Sequence, residues 1–382
     1  MGLKKNIPSI LITIAAIFSI LSFISYSMKP KKIANVKPLN TWILYYATFG
    51  NPSIDKKFIG WRYKKNKYLD DWYEPPVSAP LGLFPQRGLY STHDKLIIED
   101  QFKEMSEAGI NGVIVQWIGF NKTTDNNNED VDFVPNTIKL MLESSERYNI
   151  KIGVLLQSYE RRTNTSIYNS LEYILTNLSS HPQYLKYEGR PVIFIYDPHD
   201  VEDLFWSILK TRENYNPFYI GTFSNSYQVG EAVETAIDGL YTFFSANFSE
   251  SSRFSNWKRF SNELKDRDLV FIPGVCPGAD ESRLDIGWGS KAQKCSRNNG
   301  EEYKKMWQAA IKTAHDSNII VINSYNGFID GTNIEPSIEL YGRESTAESW
   351  SSKKDPQLYL QITKQMIQKW NETKFQKSEW ED

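Results

Sequence analysis

The chain has 382 residues, of which 24% are charged and 14% aromatic, and its formal net charge is −2 at pH 7. A balance so near neutrality, with no basic stripe, excludes nucleic acid as the partner and points to neutral or weakly charged ligands. Four His and two Cys (Cys276 and Cys295), with no Cys-x-x-Cys or His-Glu-x-x-His spacing, make no zinc site, and no cofactor is expected.

The first element is an apolar span. Ile7 to Met28 is about 22 residues without a charge, between Lys4-Lys5 and Lys29, Lys31 and Lys32; at roughly 1.5 Å per residue it crosses a ~30 Å hydrocarbon core. The apolar region of a cleaved signal peptide is shorter, about 7–15 residues, and no Ala-x-Ala site follows. Residues 1–28 are therefore expected to be an N-terminal transmembrane helix that anchors the chain, with 29–39 a polar linker. More positive charge follows the span than precedes it, which by itself would keep the large domain inside.

From there short apolar runs alternate with longer amphipathic ones. The apolar runs are Trp42–Tyr46, Gly112–Trp117, Lys151–Gln157, Val192–Asp197, Phe218–Thr222, Gly239–Phe243, Leu269–Gly274 and Ile319–Ser324, short and in part β-branched or aromatic, as buried parallel strands are. Helical patterns cover Asp94–Ala108, Pro135–Tyr148, Ser166–Ser179, Val201–Arg212, a shorter Gln228–Ala236, Ser255–Lys265, Glu301–Asp316 and Asp355–Trp370. Strand and helix alternating eight times predict an α/β fold, a closed (β/α)8 TIM barrel over residues 40–372, with 373–382 a polar tail. The runner-up, a doubly wound open sheet, normally carries a Gly-rich phosphate turn after its first strand, and Gly50-Asn51-Pro52 is not one. Residues 51–93 make a long, aromatic first loop, and in a barrel such loops build the active-site face.

Chemistry in a barrel sits at the C-terminal strand ends. Those ends carry Tyr45 and Tyr46, Trp117, Gln157 and Tyr159, Tyr196 and Asp197, Tyr241 and Phe243, then Asn326 and Asp330. Flat rings stack on the apolar faces of sugars, and amides and acids bond their hydroxyls. The ensemble therefore reads as a carbohydrate cleft, although half of these rings could equally fill the top of the barrel. Glycoside hydrolysis needs two carboxylates, about 5–5.5 Å apart for retention and 6.5–9.5 Å for inversion. The acids near strand ends are Asp197, Asp330 and Glu335, with Glu160, Glu250 and Asp280 on loops. Asp330 lies in a Gly-flanked loop that can bring it to the mouth and is the catalytic candidate. Tyr46, Trp117, Gln157, Tyr159, Asp197, Tyr241, Asn326 and Glu335 are the candidate substrate-binding residues, with Asp197 equally readable as the N-cap of the helix near Val201.

Several segments carry a family resemblance in register. Tyr45-Tyr46-Ala47-Thr48-Phe49-Gly50-Asn51-Pro52 with Trp61, Gly88-Leu89-Tyr90-Ser91-Thr92-His93-Asp94, Trp117, Asp238-Gly239-Leu240-Tyr241-Thr242-Phe243-Phe244 and Phe271-Ile272-Pro273-Gly274-Val275-Cys276-Pro277-Gly278 resemble the endo-α-mannosidases of glycoside hydrolase family 99, from about Trp42 to Trp370. The resemblance implies cleavage of internal α-mannosidic bonds with retention and without a metal. It also implies a single-span protein whose barrel faces the lumen or the extracellular side, Golgi-like in a eukaryote and at the cell surface in a prokaryote. The family's proposed catalytic pair lies in Asn-Glu-Trp-His-Glu-Gly-Thr: one Glu deprotonates the sugar's own 2-hydroxyl and the other serves as acid, then base. Here that segment reads Asn326-Gly327-Phe328-Ile329-Asp330-Gly331-Thr332, and Gln157 stands where the family has a further carboxylate. The expectation is a glycosidase of recast chemistry acting on an oligosaccharide or glycan. The alternatives are a carbohydrate-binding pseudoenzyme and a transglycosylase or glycosyltransferase-type relative.

Overall fold

The computed structural model describes residues 39–64, 70–76, 79, 81–120, 132–159, 162–243, 249–281, 294–314, 317–338 and 355–378. Leu39–Thr373 forms one compact unit. The expected span Ile7–Met28, its linker up to Pro38 and Glu160 lie outside the described residues, among which no helix is long and apolar enough to cross a membrane.

All eight expected strands form. They are β1 (Asn40–Tyr46), β2 (Gly112–Trp117), β3 (Lys151–Leu156), β4 (Arg190–Ile195), β5 (Phe218–Thr222), β6 (Gly239–Tyr241), β7 (Val270–Ile272 and Gly274–Val275) and β8 (Ile319–Ile322). Each pairs in parallel with its sequence neighbour from β1 to β7, and β1 also pairs with β8. The seventh strand brings the sheet round to meet itself. Its first piece pairs with β6 and its second with β8, on either side of Pro273, which has no N–H to give to a ladder. Thr242 fills the break, its hydroxyl accepting from the Gly274 N–H at 2.7 Å.

Among the described residues, eight helices of nine residues or more cover the outside: α1 (Lys95–Glu107), α2 (Phe133–Ser144), α3 (Asn164–Tyr173), α4 (Leu204–Tyr215), α5 (Ser226–Glu234), α6 (Trp257–Lys265), α7 (Glu301–Thr313) and α8 (Leu358–Ser378). Local chemistry starts several of them. Asp94 caps α1 by accepting from the Leu96 N–H, Thr163 and Ser166 form a reciprocal capping box on α3, and Asn225 caps α5. α1 then buries Ile98, Gln101, Phe102 and Met105, the spacing of one helical face. The last helix runs past Trp370 to Ser378, so the stretch expected to be a polar tail begins as helix.

Strand alternation divides the core in two. Trp42, Leu44, Ile114, Leu155, Val192, Phe194, Ile220, Tyr241, Ile272 and Val321 make a cluster with no helix residue in it, the barrel interior. The alternate residues, among them Ile43, Tyr45, Val113, Val115 and Trp117, pack outward with the helices. Gly112 is needed inside, because a Cβ there would meet Cδ1 of Trp42 at 2.4 Å. A third cluster, Phe49, Trp61, Leu81, Phe84, Tyr90 and Phe328, belongs to the long first loop and the loop after β8. Trp61 stacks on Phe49 with ring centroids 3.9 Å apart and donates to the Tyr90 carbonyl at 2.8 Å. The aromatic first loop is therefore a folded support for the mouth.

Candidate active site at the barrel mouth

The site centres on the end of β1. Tyr46 is the inward residue after Trp42 and Leu44, and its hydroxyl donates to Oδ2 of Asp330 in the loop after β8. Its backbone is gripped from below. Asn326 Oδ1 accepts from the Tyr46 N–H at 2.8 Å, and Nδ2 donates to the Tyr46 carbonyl at 3.0 Å and to the Tyr90 hydroxyl at 3.1 Å.

Neighbouring loops hold Asp330 in place. The Asp280 N–H donates to the Asp330 carbonyl at 2.9 Å, and buried Arg297 donates to the Gly331 and Asn333 carbonyls at 2.8 and 2.9 Å. Within the loop, Ser324 and Thr332 pair their hydroxyls at 2.9 Å, and the Gly327 N–H donates to Ser324 Oγ at 2.8 Å. That packing leaves Gly327 no room: a Cβ would meet Thr332 Oγ1 at 2.3 Å and Ser324 Oγ at 2.4 Å.

Burial pushes the Asp330 carboxyl up from its ordinary range, against the Tyr46 hydrogen bond, which pulls it down. Tyr46 is itself held well above the usual phenol range, first by burial and then by the Asp330 charge. The pair therefore keeps protons that water would remove more readily.

The other predicted residues divide into two groups. Gln157 and Tyr159, partly open after β3, face the mouth side: Gln157 donates to the Oε1 of Gln116, and Tyr159 donates to Ser166. Asp197 follows β4 in the left-handed region at φ 46°, with its N–H on Thr222 Oγ1 at 2.7 Å and its carbonyl held by Arg162. Its side chain caps no helix, which removes the N-cap reading. Beside it Tyr196 packs edge-on against Phe243, with centroids 4.9 Å apart.

Trp117, Tyr241, Asn326 and Glu335 are placed behind this surface. Trp117 points outward against Phe120 and Tyr173, since strand alternation turns inward the residue before it, Gln116. Tyr241 is fully buried inside the barrel against Phe194. Asn326 is fully buried, with its amide spent on Tyr46 and Tyr90. Glu335 is 1% exposed and accepts from Arg87 at 2.5 Å, Gln101 at 3.1 Å and Tyr90 at 2.8 Å. Burial pushes its carboxyl up to about 7 against the pull of Arg87. Glu250 is engaged elsewhere, bonding Ser226 at the start of α5 and Arg259.

The strand-end reading passed over Gln116 and Tyr63, which the structure also brings near this surface. The period-two pattern of β2 signals the first. Tyr63 lies in the short ribbon of the first loop, Tyr63–Lys64 against Trp72–Tyr73. Partial burial raises its phenol, with Asp330 and then Glu281 adding to the rise. Tyr196 is raised by burial, then by Asp197, Glu281 and Asp330. A small hollow beside the Asp330 loop is lined by Leu83, Asp280, Arg297, Phe328 and Gly331, not by Tyr46 or Asp330, and so adjoins the mouth without forming it. Cys276 and Cys295 are free thiols, and Cys276 Sγ donates to the Gly278 carbonyl at 3.1 Å. Among the described residues no group of three or more His, Cys, Asp or Glu is placed to hold a metal ion.

The model of glycosyl hydrolase family 99 matches residues 38–372. The chain belongs to that family. It is 28% identical over 371 residues to the mouse glycoprotein endo-alpha-1,2-mannosidase, covering 90% of this chain and 77% of that one, and 26% identical over 365 residues to the rat protein of the same name. It is also 25% identical over 317 residues to the human glycoprotein endo-alpha-1,2-mannosidase-like protein. The solved family 99 endo-alpha-mannosidase from Bacteroides thetaiotaomicron superimposes with a TM-score of 0.76 at 24% identity, over 87% of this chain and 98% of that one, which confirms the barrel. This family 99 barrel is thus endo-α-mannosidase-like, with Tyr46 and Asp330 at its mouth.

Proposed function

We propose that this family 99 protein is an endo-acting glycoside hydrolase that cleaves internal α-linked bonds in mannose-containing oligosaccharides or glycoprotein glycans. The Tyr46–Asp330 contact carries the reading: it sets a carboxyl with a raised affinity for its proton at the barrel mouth, the state a general acid needs. Asp330 protonates the leaving oxygen, and Tyr46, Gln157, Tyr159 and Asp197 with the Tyr196–Phe243 pair form the sugar wall. The chemistry is recast relative to the family pair, because Gly327 brings no carboxylate and its surroundings leave no space for one. The Ile7–Met28 span, about 22 residues without a charge, tethers the barrel to a membrane on its lumenal or extracellular side.

The test is incubation of the protein with α-1,2-linked manno-oligosaccharides and high-mannose glycopeptides, with products separated by size. Release of di- or larger saccharides supports the reading. Tight binding of the same glycans without any cleavage overturns it in favour of a carbohydrate-binding pseudoenzyme.

A further inference from the structure

Glu335 is a buried acid that the proposed chemistry leaves unused. It follows Asp330 in the loop after β8, and its side chain is closed off from solvent. A short antiparallel ladder, Phe84–Pro85 against Ser337–Ile338, joins this loop to the first one, and the Gln86 N–H extends it by donating to the Pro336 carbonyl at 2.9 Å. The join brings Arg87 and Tyr90 to the Glu335 carboxylate, and α1 adds Gln101. All three reach it as donors, Arg87 and Gln101 to Oε1 at 2.5 and 3.1 Å and the Tyr90 hydroxyl to Oε2 at 2.8 Å. Arg87 is shared with Asp100 and Glu104, and Glu104 also accepts from the Tyr325 hydroxyl at 2.5 Å.

Two chains of hydrogen bonds run from this carboxylate, and they end on the last two residues of β1. Along the first, the Tyr90 oxygen accepts from Asn326 Nδ2 at 3.1 Å, and Asn326 holds both backbone groups of Tyr46. Along the second, Gln101 Oε1 accepts from the Tyr45 hydroxyl at 2.7 Å. Because Glu335 takes the Tyr90 hydrogen, the Tyr90 oxygen keeps a lone pair for Asn326. The Asn326 amide is thereby fixed with its nitrogen on Tyr90 and the Tyr46 carbonyl and its oxygen on the Tyr46 N–H. Stability alone does not call for such a carboxylate, since apolar side chains of similar volume often hold a core as well as a buried ion pair does. What an acceptor-only group adds is direction: every donor in the chain is ordered from Glu335 to Tyr46, whose hydroxyl meets Asp330.

We propose that Glu335, acting through Tyr90 and Asn326, is a positioning residue that aims Tyr46 at Asp330. The inference rests on the reading of Asp330 as the acid. Gln in place of Glu335 offers one acceptor oxygen and turns an N–H toward groups that are themselves donors. Either Arg87 and Gln101 or Tyr90 then loses its acceptor, and the order of the chain is broken. Tyr90→Phe removes the middle link without adding bulk.

The experiment compares Glu335→Gln, Tyr90→Phe and Asp330→Asn with the wild type on one α-linked manno-oligosaccharide, with folding checked by thermal melting. Glu335→Gln and Tyr90→Phe are each also combined with Tyr46→Phe. Alone, each of the two is expected to lower kcat roughly 10- to 100-fold with KM within about threefold. With Tyr46→Phe no hydroxyl is left to aim, and the same substitutions are expected to cost less than about twofold. An equal loss with and without the Tyr46 hydroxyl would mean that Glu335 and Tyr90 only support the fold, and overturns the proposal. If Asp330→Asn is inactive while a folded Tyr90→Phe keeps wild-type kcat, the role of the chain is wrong and the acid reading stands. Should Glu335→Gln fail to fold, the Tyr90→Phe pair decides by the same criteria. Full activity in Asp330→Asn sinks the underlying reading instead.

Discussion

The Tyr46 hydroxyl donates to Oδ2 of Asp330 across 284 residues of sequence, joining the last residue of the first strand to the loop after the eighth. A closed barrel makes this contact possible, because β1 and β8 are neighbours only once the sheet has come round. The hydrogen bond favours the charged form of Asp330 and burial opposes it, so the site balances two opposing influences.

Tyr46→Phe removes the hydrogen bond that holds the Asp330 carboxyl down. The basic limb of the pH–rate profile should therefore move to higher pH, because the acid holds its proton longer. The lost aim of the carboxyl should lower kcat roughly 10- to 100-fold. Measuring kcat from pH 5 to 9 checks both, and a limb moving to lower pH contradicts the assignment.

Asn326→Ala releases both backbone groups of Tyr46 from their amide partner. Buried groups left unpaired cost about 1–3 kcal/mol each, so the melting temperature should fall by several degrees. Displacement of Tyr46 by about 1 Å would cost up to ~100-fold in kcat. An activity loss with KM nearly unchanged is the outcome that marks Asn326 as a positioning residue.

Glu335 has a folded pKa raised to about 7 from an ordinary value of 4.5. Its proton is bound more tightly in the folded state, so its contribution to stability is full below pH 4.5 and is lost as pH rises through about 7. The swing is on the order of 3 kcal/mol. Glu335→Gln, which cannot ionise, should abolish that decline. Parallel melting curves of wild type and variant from pH 4.5 to 8 would mean that Glu335 does not titrate in this range.

Gly327→Ala should destabilise the barrel by about 1–3 kcal/mol, as overpacking does, because its Cβ meets both hydroxyls of the Ser324–Thr332 pair. Calorimetric melting reads the loss. Replacing Gly327 by Glu alone should accordingly disturb the Asp330 loop and not restore a second carboxylate; a stable, faster Gly327→Glu variant would contradict this packing.

Much of the architecture was legible because buried parallel strands and amphipathic helices write different periods into the chain. Each of the eight apolar runs became a strand, and Pro273 only split one of them. The site was read less evenly. Strand end and Gly-flanked loop are local signals, and the two residues they pointed to, Tyr46 and Asp330, lie in contact. Trp117 was misplaced by one position, since taking the last residue of β2 ignored the alternation that turns Gln116 inward. Asn326 and Glu335 look like ligand groups by residue type. Their partners Tyr46, Tyr90, Gln101 and Arg87 lie 234 to 280 positions away, which no local pattern announces.

The most direct test of the account is the rate of internal cleavage of an α-linked manno-oligosaccharide by Asp330→Asn, beside the wild type and with affinity measured on both. The account predicts a loss of kcat of roughly 100-fold or more with affinity little changed. Equal rates in the two proteins would remove Asp330, and with it the Tyr46–Asp330 acid, from the mechanism.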